Sequence, residues 1–180
     1  MTLDPQDYRL YLETSLQLLY YVGKKENIFP AQTSYKKFLN FHKSEKFDCR
    51  QAMYKKPKLL TNYLKEHPDE LTAEQVEILT GLKRKIQGDF IIFKYLKKYA
   101  VFVHINTNRF YAVQALGDPF DAFFPDIPVI INTTILPFKG KIIYDGFLLG
   151  GNVHVGRSIT ADINEAYKNA KGAKQIITTL

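Results

Sequence analysis

The residues with the densest chemical potential lie in Gly151-Asn152-Val153-His154-Val155-Gly156-Arg157-Ser158. This glycine spacing is that of a phosphate-binding P-loop, in which backbone N–H groups cradle phosphates and a lysine reaches the outer ones. Here Arg157 stands where the motif needs lysine, and a forked guanidinium does not simply replace a compact ammonium. Val153 and Val155 alternate as in a strand and no strand–helix–strand pattern surrounds them, so the segment reads as a glycine-rich turn beside a short strand. Upstream, Asp145-Gly146 follows the apolar run Ile142-Ile143-Tyr144. A buried, pKa-shifted aspartate can act as general base or metal ligand, whereas Asp-Gly in a strand more often marks a bend whose carboxylate accepts backbone hydrogen bonds. Asp145, His154, Arg157 and His104 are therefore weak catalytic candidates whose role depends on convergence in one pocket.

The other chemistry-bearing residues form no complete motif. His42, His67, His104 and His154 lack metal-ligand spacing, so no metal site and no cofactor is expected. The single cysteine, Cys49, excludes an internal disulfide framework and a cysteine-rich zinc site; Arg50 and Lys46 could lower its pKa, but it has no sequence-local partner. Ser34, Ser44 and Ser158 sit in no nucleophile-elbow context.

Charge gives a different lead. The chain carries +7 overall, while Gly23 to Lys65 holds 11 Lys+Arg against 3 Asp+Glu, a local balance of +8. Such a window attracts anions, nucleic acid, acidic membrane lipid and acidic proteins included, although a lysine-rich surface also serves solubility alone. Lys36, Lys37, Lys55, Lys56 and Lys58 are the expected anion or nucleic-acid contacts. Phe29, Tyr35, Phe38, Phe41, Phe47, Tyr54 and Tyr63 are interleaved with them, the pairing of charge and ring that single strands use. Tyr35 and Phe38 fall at helical spacing, and Tyr63 shares a side with Leu59 and Leu60, so these rings belong first to a core and only exposed ones can stack on bases.

The elements that must position these residues follow from pattern. Asp4-Pro5-Gln6-Asp7 starts a helix whose stripe is Tyr8, Leu12, Leu16, Leu19 and Val22. Ser34 caps a shorter helix, Asp48 starts a third, Pro57 breaks it, and Thr72 with Gln75 forms a capping box for a helix ending at Gly88. From Asp89 the composition turns β-branched and aromatic. Phe90 to Ile105 turns at Lys97-Lys98, Phe110 to Leu116 is a strand, and Phe120, Phe123 and Phe124 lie in a connection expected to pack down. Val129 to Gly151 is the strongest β signal, a hairpin turning at Phe138-Lys139-Gly140-Lys141. Ile163 to Ala170 reads as a short helix, and Gln175 to Leu180 as an edge strand or docked tail.

The fold class is therefore α+β, with a helical, basic segment 1–88 and a β-rich segment 89–180, expected to pack as one domain. Helices come first, then an antiparallel sheet of about five strands, a pattern that also suits a small, partly open barrel, and a short C-terminal helix. No apolar run reaches membrane-spanning length and the N-terminus lacks a signal-peptide pattern, so a cytoplasmic location is expected. At Ile135 to Leu148, ILPFKGKIIYDGFL, the chain resembles a family of small, uncharacterised bacterial proteins with such a hairpin; GDFIIFKYLKKYAVFVHI and the closing GAKQIITTL extend the resemblance. It spans most of Gly88 to Leu180, and the helices more loosely. It implies a bacterial cytoplasmic protein and carries over no catalytic residue or cofactor. The reading is a non-enzymatic binding or adaptor protein that meets nucleic acid or another acidic partner through its basic helices; the alternative is a small enzyme around Asp145, His154 and Arg157.

Overall fold

The computed structural model describes residues 2–180. The chain forms two compact units, one from Gln6–Thr80 and one from Met1–Pro5 with Gly81–Leu180. In the first, α1 spans Pro5–Lys25, α2 Tyr35–Leu39, α3 Lys43–Lys55 and α4 Lys58–Glu66, with α5 (Ala73–Gly81) completing it. Local chemistry sets most of these ends. The Ser34 hydroxyl accepts the Lys37 N–H at 3.3 Å, and Pro57 separates α3 from α4. Thr72 and Gln75 satisfy each other's backbone N–H groups at 2.9 and 3.3 Å, the expected capping box.

Three expectations for this unit change, the first being that α5 ends at Gly81 and not at Gly88, because Ile86 to Gly88 are drawn into strand pairing with Ile135 to Thr133. α3 starts at Lys43, not Asp48, because the His42 ring accepts the Ser44 N–H at 3.3 Å while the Glu45 carboxylate accepts the His42 N–H at 3.0 Å. Histidine is an uncommon cap, so the signal passes unread. On α1 the buried residues are Tyr11, Thr14, Leu18, Leu19, Val22 and Gly23: Leu19 and Val22 of the expected stripe are buried, whereas Tyr8 and Leu16 are only half-buried and Leu12 stays 36% exposed. Leu and Tyr recur on several sides of this helix, so 3.6-residue spacing alone does not select the inner one. The core it meets is aromatic: Phe29 and Phe38 are buried, their centroids 5.5 Å apart, with Tyr20 and Phe41 against them. Gly23 permits this packing, since a Cβ there would lie 2.1 Å from the Phe29 ring.

The second unit is built on five strands: β1 (Ile86–Tyr95), β2 (Ala100–His104), β3 (Arg109–Gln114), β4 (Val129–Phe138) and β5 (Lys141–His154). β1 turns into β2 across Lys97-Lys98, as expected. Between β4 and β5, Lys139 (φ 45°) and Gly140 (φ 71°) are both left-handed, the two-residue turn whose twist matches that of the strands. β1 also pairs antiparallel with β4, from Ile86 opposite Ile135 to Ile92 opposite Val129. The remaining interface is parallel, with Val113 opposite Ile142 and Gln114 opposite Ile143, so the sheet is mixed and not wholly antiparallel. The strands close in the order β1-β2-β3-β5-β4. That is the five-stranded Greek-key connectivity of OB-type barrels.

Alternation along the strands divides their side chains between two faces. Phe90, Ile92, Phe102 and Tyr111 turn inward, with the Phe90 centroid 6.0 Å from Phe102 and 6.2 Å from Tyr111. α6 (Phe120–Phe123) inserts the fully buried Phe120 against Phe102 and Tyr144. Of the three phenylalanines expected to pack here, Phe123 departs, remaining 46% exposed because α6 is a single turn with one inner side. Ile91, Phe93, Val101, Val103 and Phe110 form the outer cluster, covered by Tyr167 and Ala170 of α7. α7 spans Arg157–Gly172, starting well before Ile163, and β5 runs on through His154. The tail then docks: Ile177 donates its N–H to Phe110 O and accepts from Ala112 N, both at 2.9 Å.

Tyr167 is 5% exposed and sits 5.6 and 5.7 Å from the Phe93 and Phe110 rings. Tyr167→Ala is expected to lower stability by about 3 kcal/mol, as large-to-small core changes do. Urea unfolding of the two proteins measures it, and a loss under about 1 kcal/mol would mean that α7 is not held through this ring.

Candidate functional site

In the helical unit, α1 carries Gln17, Tyr20, Tyr21, Lys24 and Lys25 at three- and four-residue spacing, so one face presents all five. α4 and its C-terminal residue add Tyr63, Glu66 and His67 by the same rule, and α2 adds Tyr35. Together with Glu70 and Leu71 from the following loop, these residues line a cleft of about 500 Å³. The rings meet edge-on or tilted: Tyr20 to Tyr35 at 5.3 Å, Tyr21 to Tyr63 at 5.1 Å, Tyr63 to His67 at 4.7 Å. Lys24 lies 5.4 Å from the Tyr20 centroid and Lys25 5.1 Å from that of Tyr21.

Charges inside the cleft are partly settled. The Lys25 ammonium is 3.0 Å from Glu66 Oε2, and the Tyr21 hydroxyl donates to Glu66 Oε1 at 2.9 Å. Those hydrogen bonds, from Lys25 first and then Tyr21, hold the Glu66 carboxyl below the usual glutamate range. Burial and then the Glu66 carboxylate push the Tyr21 phenol up to about 12. Burial raises Tyr63 as well, with further contributions from Glu70 and Tyr35. His67 Nδ1 lies 3.1 Å from Glu70 Oε2. Lys24 has no ion pair among the described residues, and the lining includes no serine, cysteine or threonine nucleophile. The arrangement therefore offers π surfaces, one cation without an ion pair among the described residues, and hydrogen-bonding groups.

The expected basic contacts are dispersed. Lys36 and Lys37 are exposed on α2 beside Tyr35, while Lys55, Lys56 and Lys58 are exposed around the Pro57 break, where Lys56 pairs with Glu26. The +8 window is also offset within its own unit: Gln6–Thr80 holds 12 Lys+Arg against 10 Asp+Glu, with Glu66, Asp69, Glu70, Glu74 and Glu77 following the lysines. Of the interleaved rings, Phe29 and Phe38 are buried in the core, Tyr63 is buried in the cleft wall, and Tyr35 is partly exposed in the cleft. Sequence reasoning passed over Tyr20, Tyr21 and Glu66, placed Lys24 only in the basic window and weighed His67 only as a metal ligand. The signal of the α1 residues was there in the 17-20-21-24-25 spacing, a polar aromatic face beside the apolar one.

The weak catalytic candidates are not brought together. Asp145 Oδ1 accepts the Phe147 N–H at 3.1 Å across Gly146 (φ 93°), the bend that Asp-Gly suggested. His154 lies opposite Val129 and Tyr144 opposite Ile135, six positions of β4 and roughly 20 Å away at 3.3 Å per residue. His154 and Arg157 are exposed. His104 is buried at the end of β2, its Nδ1 2.9 Å from the Thr107 hydroxyl and its ring 4.9 Å from Phe90. Cys49 is fully buried, and burial followed by the Asp48 charge pushes its thiol up to about 12, opposite to the effect expected of Arg50 and Lys46.

In OB-type barrels the face of strands 2 and 3 takes oligonucleotides or oligosaccharides. Here α7 occupies that outer face with Tyr167 and Ala170. Among the described residues no group of three or more His, Cys, Asp and Glu is placed to hold a metal ion, and no helix is long and apolar enough to cross a membrane. No protein-family model, curated protein or solved structure matches the chain.

The Tyr21–Glu66 bond sets a pH dependence. With the folded phenol at about 12 and the unfolded one at 10.0, this group's contribution to stability is complete below about pH 10 and is lost as pH rises towards 12. Phenolate absorbance should show one late-titrating tyrosine moving to lower pH in Glu66→Gln; unchanged curves would remove the hydrogen bond. The Cys49 thiol should resist alkylation in the folded protein at mildly alkaline pH and react on unfolding in urea. Labelling at equal rates in both states would place it at the surface.

Proposed function

We propose that the chain is a non-enzymatic binding protein of the bacterial cytoplasm that holds unpaired stretches of nucleic acid in the tyrosine-lined cleft of its helical unit. The observation that carries this reading is the sharing of one open cleft by Tyr20, Tyr21, Tyr35 and Tyr63 with Lys24, whose ammonium has no carboxylate partner among the described residues. Stacking of a base on an aromatic ring contributes about 1–3 kcal/mol and tolerates any sequence. Lys24 at the cleft, with Lys36 and Lys37 on α2 next to Tyr35, supplies ammonium groups for phosphates; Lys55 and Lys58 form a separate exposed group. A cationic ligand suits the cleft less well, because Lys24 and Lys25 already lie over the Tyr20 and Tyr21 rings. A duplex, whose bases are stacked internally, offers no free face to these tyrosines.

The test is fluorescence anisotropy with labelled single- and double-stranded DNA and RNA at two salt concentrations. Single strands are expected to bind more tightly than duplexes of the same length. Tyr35→Ala should weaken single-strand binding by about fivefold or more, consistent with loss of one stacked base. Charge reversal of Lys24, Lys36 and Lys37 should weaken it further and flatten the salt dependence by about 0.7 in log–log slope for each phosphate that is no longer neutralised. Absence of binding at low salt, or a Tyr35→Ala protein that binds as wild type does, would overturn the reading.

A further inference from the structure

The strand unit has a cleft of its own, of about 490 Å³, where the start of β3, one side of α7 and the docked tail meet. Its polar lining is Asn108, Arg109, Asn169 and Gln175, and its apolar floor is Phe110 with Ile177. Ala166 and Ala170, one helical turn apart on α7, keep the helix wall low. No carboxylate lines it.

Each polar group sits on fixed backbone. Asn108 takes the left-handed conformation (φ 51°) that ends the β2–β3 turn, with its N–H on His104 O at 2.9 Å. Arg109 follows as the first residue of β3, opposite His104. Asn169 lies in the last turns of α7, where its carbonyl accepts the Ala173 N–H at 2.9 Å. Gln175 is held by its own N–H on Ala170 O at 2.8 Å, and Ile177 by its two bonds to β3. The side chains of all four polar residues nevertheless make no hydrogen bond or ion pair with any described residue. The cleft thus gathers a guanidinium with five N–H donors and three carboxamides, each with two donors and one acceptor, and spends none of them on the protein.

We infer that this cleft is a binding site for a small molecule carrying an oxyanion, phosphoryl or carboxyl, on a short apolar body. The guanidinium fork of Arg109 matches paired oxygens, the carboxamides of Asn108, Asn169 and Gln175 donate to the remaining lone pairs, and the Phe110–Ile177 floor receives the body. An acidic side chain would repel such a ligand, and the lining has none. A neutral or cationic molecule leaves the guanidinium without a counter-charge, and a ligand lacking an apolar part leaves the floor wet. The site is independent of the helical cleft, since every residue in it belongs to the other unit.

Heteronuclear NMR on the full chain, observing side-chain amides and Arg Nε, tests this with four probes: phenyl phosphate, benzoate, inorganic phosphate and neutral benzyl alcohol. Phenyl phosphate and benzoate are expected to give saturable shifts confined to Asn108, Arg109, Asn169 and Gln175, with inorganic phosphate weaker and benzyl alcohol without effect. Whichever of the two organic anions binds more tightly identifies the oxyanion that the site prefers. Arg109→Gln should weaken both by about tenfold or more, as loss of a charge-assisted pair does. Ala166→Leu, at an exposed helical position that tolerates leucine, should fill the cleft and abolish both without unfolding the chain. No shift up to about 20 mM, where even very weak binding registers, would overturn the site. So would equal binding of benzyl alcohol, or wild-type affinity in Arg109→Gln.

Discussion

Backbone pairing along both edges of β1 is the constraint on which the strand unit depends. One edge ladders with β2 and the other with β4, so a single ten-residue strand joins two hairpins that are distant in sequence. Because side chains alternate at a period of two, those registers decide every facing at once. Phe90 and Ile92 go inward to Phe102 and Tyr111, while Ile91 and Phe93 go outward to α7. Slip β1 by one residue and the two sets exchange places, so that Phe90 and Ile92 meet α7 while Ile91 and Phe93 enter the inner core. The opposite seam is far thinner. β3 and β5 share two residue pairs, Ile177 of the tail bonds to Phe110 and Ala112 of β3, and Leu3 bonds to Ala115 and Leu116 just beyond it. The tail thus acts as a partial strand that satisfies backbone groups which the short parallel ladder leaves open.

That same tail has a second consequence. By pairing with Phe110 and Ala112 it holds Gln175 and Ile177 near the start of β3, and so creates the amide-rich cleft beside Arg109. The outer face that ligands use in barrels of this connectivity is meanwhile sealed by Tyr167 and Ala170. The uncommitted polar side chains of this unit lie at the border of the sheet and not at its centre.

In the helical unit, aromatic packing decides which rings remain for a ligand. Phe29 and Phe38 are spent on the core, Gly23 giving Phe29 room to approach α1. Tyr20 and Tyr21 are neighbours in sequence, yet their rings serve opposite clusters, Tyr20 with Phe29 and Phe38, Tyr21 with Tyr63 and His67. The gap between the two clusters is the cleft. Within the unit, Lys25 and Lys56 are paired with Glu66 and Glu26, and the acidic residues that follow the lysine-rich window offset most of its charge in number.

Much of this architecture was legible in the residues themselves. Helices capped by Ser34 and Thr72, the break at Pro57, the turns at Lys97-Lys98 and Lys139-Gly140, and the Asp145-Gly146 bend are all written locally, because caps and turns are governed by side chains within a few positions. The α+β class follows from the same signals. What tertiary structure alone decided is non-local: which stripe of α1 faces inward, that β3 and β5 pair in parallel, that Asp145 and His154 stand far apart on one strand, and that tyrosines from three helices share a wall. The parallel pairing rests on only two residue pairs and has no sequence period of its own. The facing of α1 depends on which of its several apolar sides meets Phe29 and Phe38. The physical reason is common to all of these: hydrophobic burial is non-directional and proportional to area, so sequence states how much apolar surface must be covered, and only the assembled chain settles which side chains cover it.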